Sequence, residues 1–506
     1  MKHSFLRRTA ALALTLCTAA SAACAERIHA AIKVNPDKAI MTNGGVFEGW
    51  GTSLCWWANR LGYSDTLAQL AADVIFGEDG LRLNIMRYNI GGGDDPTHRH
   101  ITRTDSAVPG WLHWDDAAQA YAYDYAADAN QLSVMQRAVR AAGEDAMVEV
   151  FSNSPPYFMT ESGCSSGAQK ASHNNLREDC VESFAEYLAH VAAYIKRDLG
   201  MPVVSLSPMN EPNTDYWKAY SSKQEGCHVD SGKRQSAILE AVADVMARYG
   251  LDDVLLAASD ETNPQLQAEA YKSYSDKARQ ALGRVNTHTY SDSGARQLAK
   301  LLAKDGMNLW MSEVDGAGTA GKRAGEMAAA LWLGQKIISD ISALSPSAWV
   351  MWQVIDSHIS TEGYNGNRDT GMVDASGGFW GTAVADHDKE EIVLTQKYYG
   401  FGQFTRYIRP GSTLIPCTKD ALAAYDADAQ TLTVVLLNPS DKDKTISLDL
   451  SAFAIQSGGV QAYRTSGSMA DGEQWSPVSG ITAEENGVIA PLTPNSITTL
   501  IVDCRL

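Results

Sequence analysis

The sequence predicts an α/β fold: a (β/α)8 TIM barrel with an attached antiparallel β-sandwich side domain. Three observations predict it. Eight short apolar runs alternate with helix-period stretches across residues 46–395. Several of those runs end in charged or amide residues followed by proline or glycine, as strand ends at the mouth of a barrel do. The composition changes near Lys397, and beyond Phe404-Thr-Arg-Tyr-Ile-Arg-Pro-Gly411 the chain shows short β-rich runs divided by turn sequences. Strands alternating with helices imply right-handed crossovers and parallel pairing, and eight such units favour a closed barrel over an open doubly wound sheet. With 506 residues, 45% of them hydrophobic, the chain is long enough for one large barrel and a smaller domain.

Residues 1–25 read as an export signal: Lys2, Arg7 and Arg8, an apolar run from Ala10 to Leu16, then small residues ending Ala20-Ser21-Ala22 or Ala23-Cys24-Ala25. Arg7-Arg8 supports a twin-arginine signal only weakly. Cys24 offers a lipoprotein anchor as the minor alternative, because Ser21 stands where an apolar residue would be expected. No other apolar stretch reaches the length of a membrane span, so the mature chain is expected to be secreted or periplasmic. Its formal net charge of −18 becomes more negative when a signal with three bases and no acids is removed. Such a surface disfavours nucleic acid and anionic membranes and leaves neutral or cationic substrates open.

Six cysteines remain after the signal, and an even number in an exported chain permits disulfides. The expected pairs are Cys164 with Cys180, closing a polar loop, and Cys417 with Cys504, joining two strands of the C-terminal domain. Zinc is the weaker reading, since no CxxC occurs and His98, His100 and His228 lie in loop-like sequence.

In chain order, Ile28 to Val34 alternates like a short strand that can pair into the side domain, which is expected to comprise residues 26–45 and 396–506. Eight barrel strands follow: Phe47 to Trp57, Leu81 to Ile90, Met147 to Ser152, Val203 to Ser207, Val254 to Ser259, Arg284 to Tyr290, Leu309 to Ser312 and Trp349 to Ile355. Helix-period stretches lie between them at Ser64–Ile75, Leu132–Ala142, Val181–Leu199, Gln235–Tyr249, Pro264–Leu282, Ala295–Lys304 and Gly325–Ile341. Gly91-Gly-Gly-Asp-Asp95 is loop-like and lacks the GxGxxG spacing of a dinucleotide fingerprint, so no nucleotide cofactor is expected. The side domain takes its strands from Thr431–Leu437, Thr445–Leu450, Gly459–Arg464 and Ile497–Val502.

The strand ends carry the chemistry. They present Trp56 and Trp57; Arg87 and Asn89; Asn153 and Ser154; Asn210 and Glu211; Asp260 and Glu261; His288 and Tyr290; Glu313; then Trp352 and Asp356. Two carboxyls, amides and exposed aromatic rings suit hydrolysis of a glycosidic bond: rings stack on sugar faces, amides read hydroxyls, and carboxyls divide the work of acid and nucleophile. Plainer roles compete at each position. Trp57 can simply pack the barrel top, His288 can orient rather than act as a base, Arg87 can be a salt-bridge partner, and Asp260-Glu261 reads best as a helix cap. No GxSxG elbow surrounds Ser53, Ser152 or Ser154, which argues against a serine hydrolase.

Gly49-Trp-Gly-Thr-Ser-Leu-Cys-Trp-Trp-Ala58, Met86-Arg-Tyr-Asn-Ile-Gly-Gly92, Ser152-Asn-Ser-Pro-Pro-Tyr-Phe-Met-Thr160, Met209-Asn-Glu-Pro212 and Trp310-Met-Ser-Glu313 resemble glycoside hydrolase family 30, most of all its endo-β-1,6-galactanase branch. The resemblance implies a retaining mechanism without metal or cofactor, with Glu211 as acid/base and Glu313 as nucleophile. It further implies that Asn210 bonds the sugar 2-hydroxyl and that Arg87 and Tyr290 hold Glu313 ionised and aimed. Asn153, Trp57 and Trp352 would line the sugar pocket, and His288 and Asp94 join the substrate-binding candidates. The expected partner is β-1,6-galactan, such as arabinogalactan side chains. Related activities are release of galactobiose from chain ends and cleavage of β-1,6-glucan. A non-catalytic carbohydrate-binding surface protein on the same scaffold is the alternative of another class.

Overall fold

A computed structural model describes residues 28–95, 97, 99–103, 106–316, 323–364, 367–371 and 379–506. The expected export signal and His98 lie outside the described residues. Eight parallel strands close a barrel in strict sequence order: β1 (Gly49–Ser53), β2 (Ile85–Asn89), β3 (Met147–Phe151), β4 (Val203–Ser207), β5 (Leu255–Glu261), β6 (Leu282–His288), β7 (Asn308–Glu313) and β8 (Ala348–Met351). Each of the eight expected strands overlaps one of these. β8 is shorter than its apolar run suggests, because Ile355 opens a separate sheet built from Ile355–Tyr364, Asn367–Thr370, Ala383–Asp386 and Glu391–Leu394. The sequence reading did not anticipate that sheet, nor the hairpin Leu112–Asp115 with Ala120–Tyr123.

The helices follow their caps. Ser64 accepts a hydrogen bond from the Leu67 N–H to open Asp65–Phe76. The expected single helix Pro264–Leu282 is two. Asn263 caps Pro264–Ser273, the chain turns at Tyr274, and Ser275 caps a new helix, Asp276–Ala281, leaving Leu282 to begin β6. Val181–Ala193 is α-helical and then widens into a π-turn over Tyr194–Asp198.

The helices and the outward faces of the strands share one apolar core, which continues into the side domain through Val435, Leu437 and Ile497. Aromatic rings fasten the junction: Trp50 of β1 lies edge-on to Phe47, Phe401 and Phe404, and its indole N–H donates to the Ile408 carbonyl at 2.8 Å. The side domain packs a six-stranded sheet and a four-stranded sheet around a second core that includes Val34, Ala421, Leu432, Val434, Leu448, Val488 and Leu500. Ile28–Lys33 joins the smaller sheet in parallel with Lys444–Asp449. The remaining pairs of both sheets are antiparallel.

All six cysteines among the described residues are free, which overturns the expected disulfides. Cys417 and Cys504 stand on the same sheet, but two strands, Ala421–Asp426 and Thr431–Asn438, run between theirs. Three interstrand steps make about 14 Å, twice the reach of a disulfide. Cys164 sits instead 3.1 Å from His100 Nε2 and 3.1 Å from Ser166 Oγ, while Cys180 precedes the helix that starts at Val181. No helix among the described residues is long and apolar enough to cross a membrane.

Candidate active site

The barrel interior is charged where an apolar filling is common. Glu149 of β3 accepts from Arg87 Nε at 2.9 Å, from Ser205 Oγ at 2.8 Å and from Asn286 Nδ2, and it pairs with Arg284. Arg284 in turn lies over the Trp310 ring. Arg87 forks upward from this floor, with Nη2 3.1 Å from Asp260 Oδ1 and Nη1 3.0 Å from Glu313 Oε2. All of these side chains are buried, and three anions around Arg87 hold it charged against the burial that opposes it.

Above them stand the two carboxyls singled out from the sequence. Glu313 ends β7 and receives Tyr290 Oη–H at 2.9 Å besides Arg87. Glu211 lies four residues beyond β4, where Pro208 and Pro212 bracket a turn that places it at φ +45°. That left-handed conformation is held by the Glu211 N–H, which donates to the Asp260 carbonyl at 2.8 Å, and by Thr214 Oγ1 and Trp217 Nε1, which donate to the Glu211 carbonyl. Its carboxylate accepts from Tyr216 Oη and faces His288 Nδ1 at 3.0 Å. His288 Nδ1 is also 3.6 Å from Glu313, and its Nε2 is 3.5 Å from Asp260.

Four carboxyls (Glu149, Asp260, Glu211, Glu313) and three cationic groups (Arg87, Arg284, His288) thus form one buried cluster. Burial alone would lower His288, but Glu313, Asp260 and Glu211 together carry it up to about 10. Asp260 is held far below the usual carboxyl range, because Arg87 and His288 outweigh its burial. Burial would raise Glu211, but the hydrogen bond and charge of His288, with Tyr216, bring it below its ordinary value. At Glu313 burial prevails over His288 and Arg87, and the Glu211 charge adds to the rise. Arg87 and Tyr290 therefore aim Glu313, while its ionisation stays harder than that of a free carboxyl.

A cavity of about 460 Å³ opens over the pair, lined by Asn210, Glu211, Tyr216, Trp217, Tyr290, Glu313 and Trp352 among others. Asn210 is buried, and its Oδ1 has no hydrogen-bond partner. Trp352 leans edge-on against Trp56, whose face is covered by Arg103. One oxygen each of Glu211 and Glu313 and one ring nitrogen of His288 lie within 4.8 Å of one another, a grouping that could receive a metal ion. Those atoms are already engaged by Arg87, Tyr216, Tyr290 and by each other, a donor set filled by hydrogen bonds.

Three sequence candidates stand away from this cavity. Trp57 is fully buried, opens a short helix and donates its indole N–H to the Ser53 carbonyl, so it packs the barrel top and offers no face to a sugar. Asn153 is buried beside Cys55, with its Nδ2 3.8 Å from the sulfur. Asp94 pairs with His100 at 2.8 Å in the loop after β2. Asp260-Glu261 does not cap the next helix, since Asn263 does. Asp260 is instead the hub under the site, and Glu261 is buried against Gln235. The sequence reading missed Glu149, Arg284 and Tyr216. A lone charge inside an apolar strand, as in Met147-Val-Glu-Val-Phe151, is a usable signal for the first two, because buried charges need partners.

A family model described as O-glycosyl hydrolase family 30 matches residues 30–281. An endo-β-1,6-galactanase of Hypocrea rufa is 30% identical over 454 residues, covering 86% of this chain and 87% of that protein. The chain belongs to glycoside hydrolase family 30. An exo-β-1,6-galactobiohydrolase of Bifidobacterium longum is 27% identical and covers 80% of this chain, which spans 34% of that longer protein. A family 30 subfamily 8 xylanase from Clostridium acetobutylicum has the same fold, with a TM-score of 0.66 at 19% identity over 94% of this chain and 99% of that one. The family 30 match by model includes Glu211 and ends before Glu313, whereas the Hypocrea relative is aligned over most of both chains.

Proposed function

We propose that this family 30 glycoside hydrolase is an exported enzyme that cleaves β-1,6-galactosidic linkages in galactan with retention of configuration. The observation that carries the mechanism is the proximity of the carboxyls, whose nearest oxygens lie within 4.8 Å. Retaining pairs sit about 5–5.5 Å apart, whereas inverting pairs leave about 6.5–9.5 Å for a water. Glu313, aimed by Arg87 and Tyr290, attacks the anomeric carbon, and the leaving oxygen takes a proton from Glu211. Because the free site favours ionised Glu211, that proton is drawn from the His288 imidazolium, whose Nδ1 is 3.0 Å away. Water then attacks the glycosyl-enzyme ester as Glu211 and His288 take its proton back. The unpartnered Asn210 Oδ1 accepts from the 2-hydroxyl of the sugar, a contact that strengthens as the ring becomes oxocarbenium-like. Trp352 supplies the apolar wall.

The galactan substrate is supported by the Hypocrea relative, which matches along most of its length. The Bifidobacterium relative favours a second reading, release of a disaccharide from chain ends. Product analysis on debranched β-1,6-galactan, with β-1,6-glucan beside it and Glu313→Gln as control, separates them. A ladder of galacto-oligosaccharides of retained β configuration supports the endo reading, and a single disaccharide supports the second. Inverted products refute the mechanism, glucan-only cleavage refutes the substrate, and hydrolysis by neither protein refutes the enzyme in favour of a binding protein.

A further inference from the structure

Among the described residues two tryptophans are exposed, Trp114 at 49% and Trp332 at 42%. Trp114 commits its indole N–H to Asp116 on the hairpin. Trp332 stands on the helix Met327–Leu344 in a second cavity of about 420 Å³, outside the catalytic one. Tyr290 borders both cavities, its hydroxyl on Glu313. Polar groups line the same cavity as Trp332. Lys336 Nζ donates to Asp292 at 2.6 Å and to Asp340 at 2.9 Å, which leaves one of its three N–H bonds for a ligand. Gln335 also lines the cavity, its Nε2 3.3 Å from Asp420 Oδ1 and its carbonyl oxygen left as an acceptor. Asp315, two residues after Glu313, lines the same cavity and is raised by burial to about 7, so that near neutral pH it can donate or accept.

An exposed indole that shares a concave site with fixed donors and acceptors is an arrangement that can bind a pyranose, whose apolar face stacks while its hydroxyls are read at the edge. We propose that the Trp332 cavity is a second saccharide subsite, which holds a neutral hexose unit of the same chain beyond those at the cleavage point. Carboxyls outnumber the single ammonium there, so a uronate is rejected. The subsite makes binding depend on chain length and favours long galactan over short fragments. It rests on the galactan reading above.

The test uses full-length Glu313→Gln protein with and without Trp332→Ala, titrated calorimetrically with β-1,6-galactobiose and with β-1,6-galactohexaose. Loss of one stacked ring is expected to weaken hexaose binding about tenfold and leave galactobiose within about twofold, with Trp332→Tyr recovering most of the difference. Equal hexaose affinity with and without the ring overturns the subsite and leaves the galactan reading intact. Equal losses for both lengths also overturn it, since they report a general disturbance. If Glu313→Gln alone binds neither sugar, the galactan reading fails and the subsite falls with it.

Discussion

Replacing Asp260 by Asn tests whether the buried charges hold the site together. Three hydrogen-bond donors and two cations converge on this carboxylate. Arg87 Nη2 at 3.1 Å, Ser312 Oγ at 2.5 Å and His288 Nε2 at 3.5 Å meet Oδ1, while Ser207 Oγ at 2.5 Å and Asn286 Nδ2 at 3.3 Å meet Oδ2. An amide has one accepting oxygen, so whichever way it flips its NH2 faces donors. The better orientation keeps oxygen toward Arg87 and turns NH2 toward Ser207, whose hydroxyl can rotate to accept, leaving the Asn286 amide opposed. The charge facing Arg87 is lost in either case. Removing one partner of a buried ion pair costs about 3–5 kcal/mol. With an unfolding entropy of roughly 2.1 cal/mol/K per residue, the 506-residue chain loses about 3–5 °C of Tm.

The pH dependence makes the test sharper. Asp260 lies below its ordinary value, so its stabilisation is present above the unfolded carboxyl pKa of about 3.9 and lost as pH falls through the folded value. His288 lies above its ordinary value, so its share is complete below about 6.5 and lost as pH rises through about 10. The Tm gap between wild type and Asp260→Asn is therefore widest between about pH 4 and 6.5 and narrows on both sides. Differential scanning calorimetry from pH 3 to 9 measures it. A gap under about 1 °C, or one that is flat across that range, refutes the reasoning.

His288→Gln removes the cation that lowers both carboxyls and, in the proposed mechanism, supplies the proton to Glu211, so both limbs of the kcat/KM pH profile should move inward. An unchanged profile on galactan would show that the imidazolium does not feed Glu211. Gly226→Ala would set a Cβ 2.2 Å from the Trp217 ring, displacing the indole that anchors the Glu211 carbonyl. Overpacking should cost about 1–3 kcal/mol and lower kcat while KM changes little, as steady-state kinetics and a melt would show. Excess dithiothreitol should leave Tm within about 1 °C, because the six cysteines are free and a native disulfide would be worth about 2–5 kcal/mol.

What could be read from the sequence is what is local. The eight strands announce themselves as apolar runs, and Glu211 and Glu313 as carboxyls at strand ends, because the barrel puts chemistry where pairing stops. What stayed hidden is contact across the barrel. Arg87 and Glu149 are 62 residues apart, and Arg284 and Glu149 are 135 apart. No periodicity links them. Trp57 is buried, like Trp56 beside it, because the short helix that opens at Trp57 turns its ring into the core, and nothing in a Trp pair at a strand end distinguishes packing from sugar binding. The cysteines misled because an even number is compatible with pairing, whereas strand order, which sequence does not print, sets Cys417 and Cys504 too far apart. The sheet from Ile355 to Leu394 was lost because three of its strands are only four residues long and the fourth, Ile355–Tyr364, shows no clean apolar alternation.

The charged floor has no good explanation as a source of stability. Buried ion pairs seldom outperform well-packed apolar residues of the same volume, because desolvation consumes most of the Coulomb gain. Glu149, Arg284, Asn286 and Ser205 could in principle give way to the branched aliphatic layers that fill many barrels. What such layers could not do is fix a guanidinium from below. Arg87 has its Nε tied to Glu149 and its Nη2 set against Asp260, which leaves Nη1 a single direction, toward Glu313. The same Asp260 faces His288, whose other nitrogen reaches Glu211. One buried carboxylate thus sets the orientation of the two cations that face Glu313 and Glu211. Their geometry is fixed in the free protein, so in the proposed mechanism no reorganisation is left for the moment of bond cleavage.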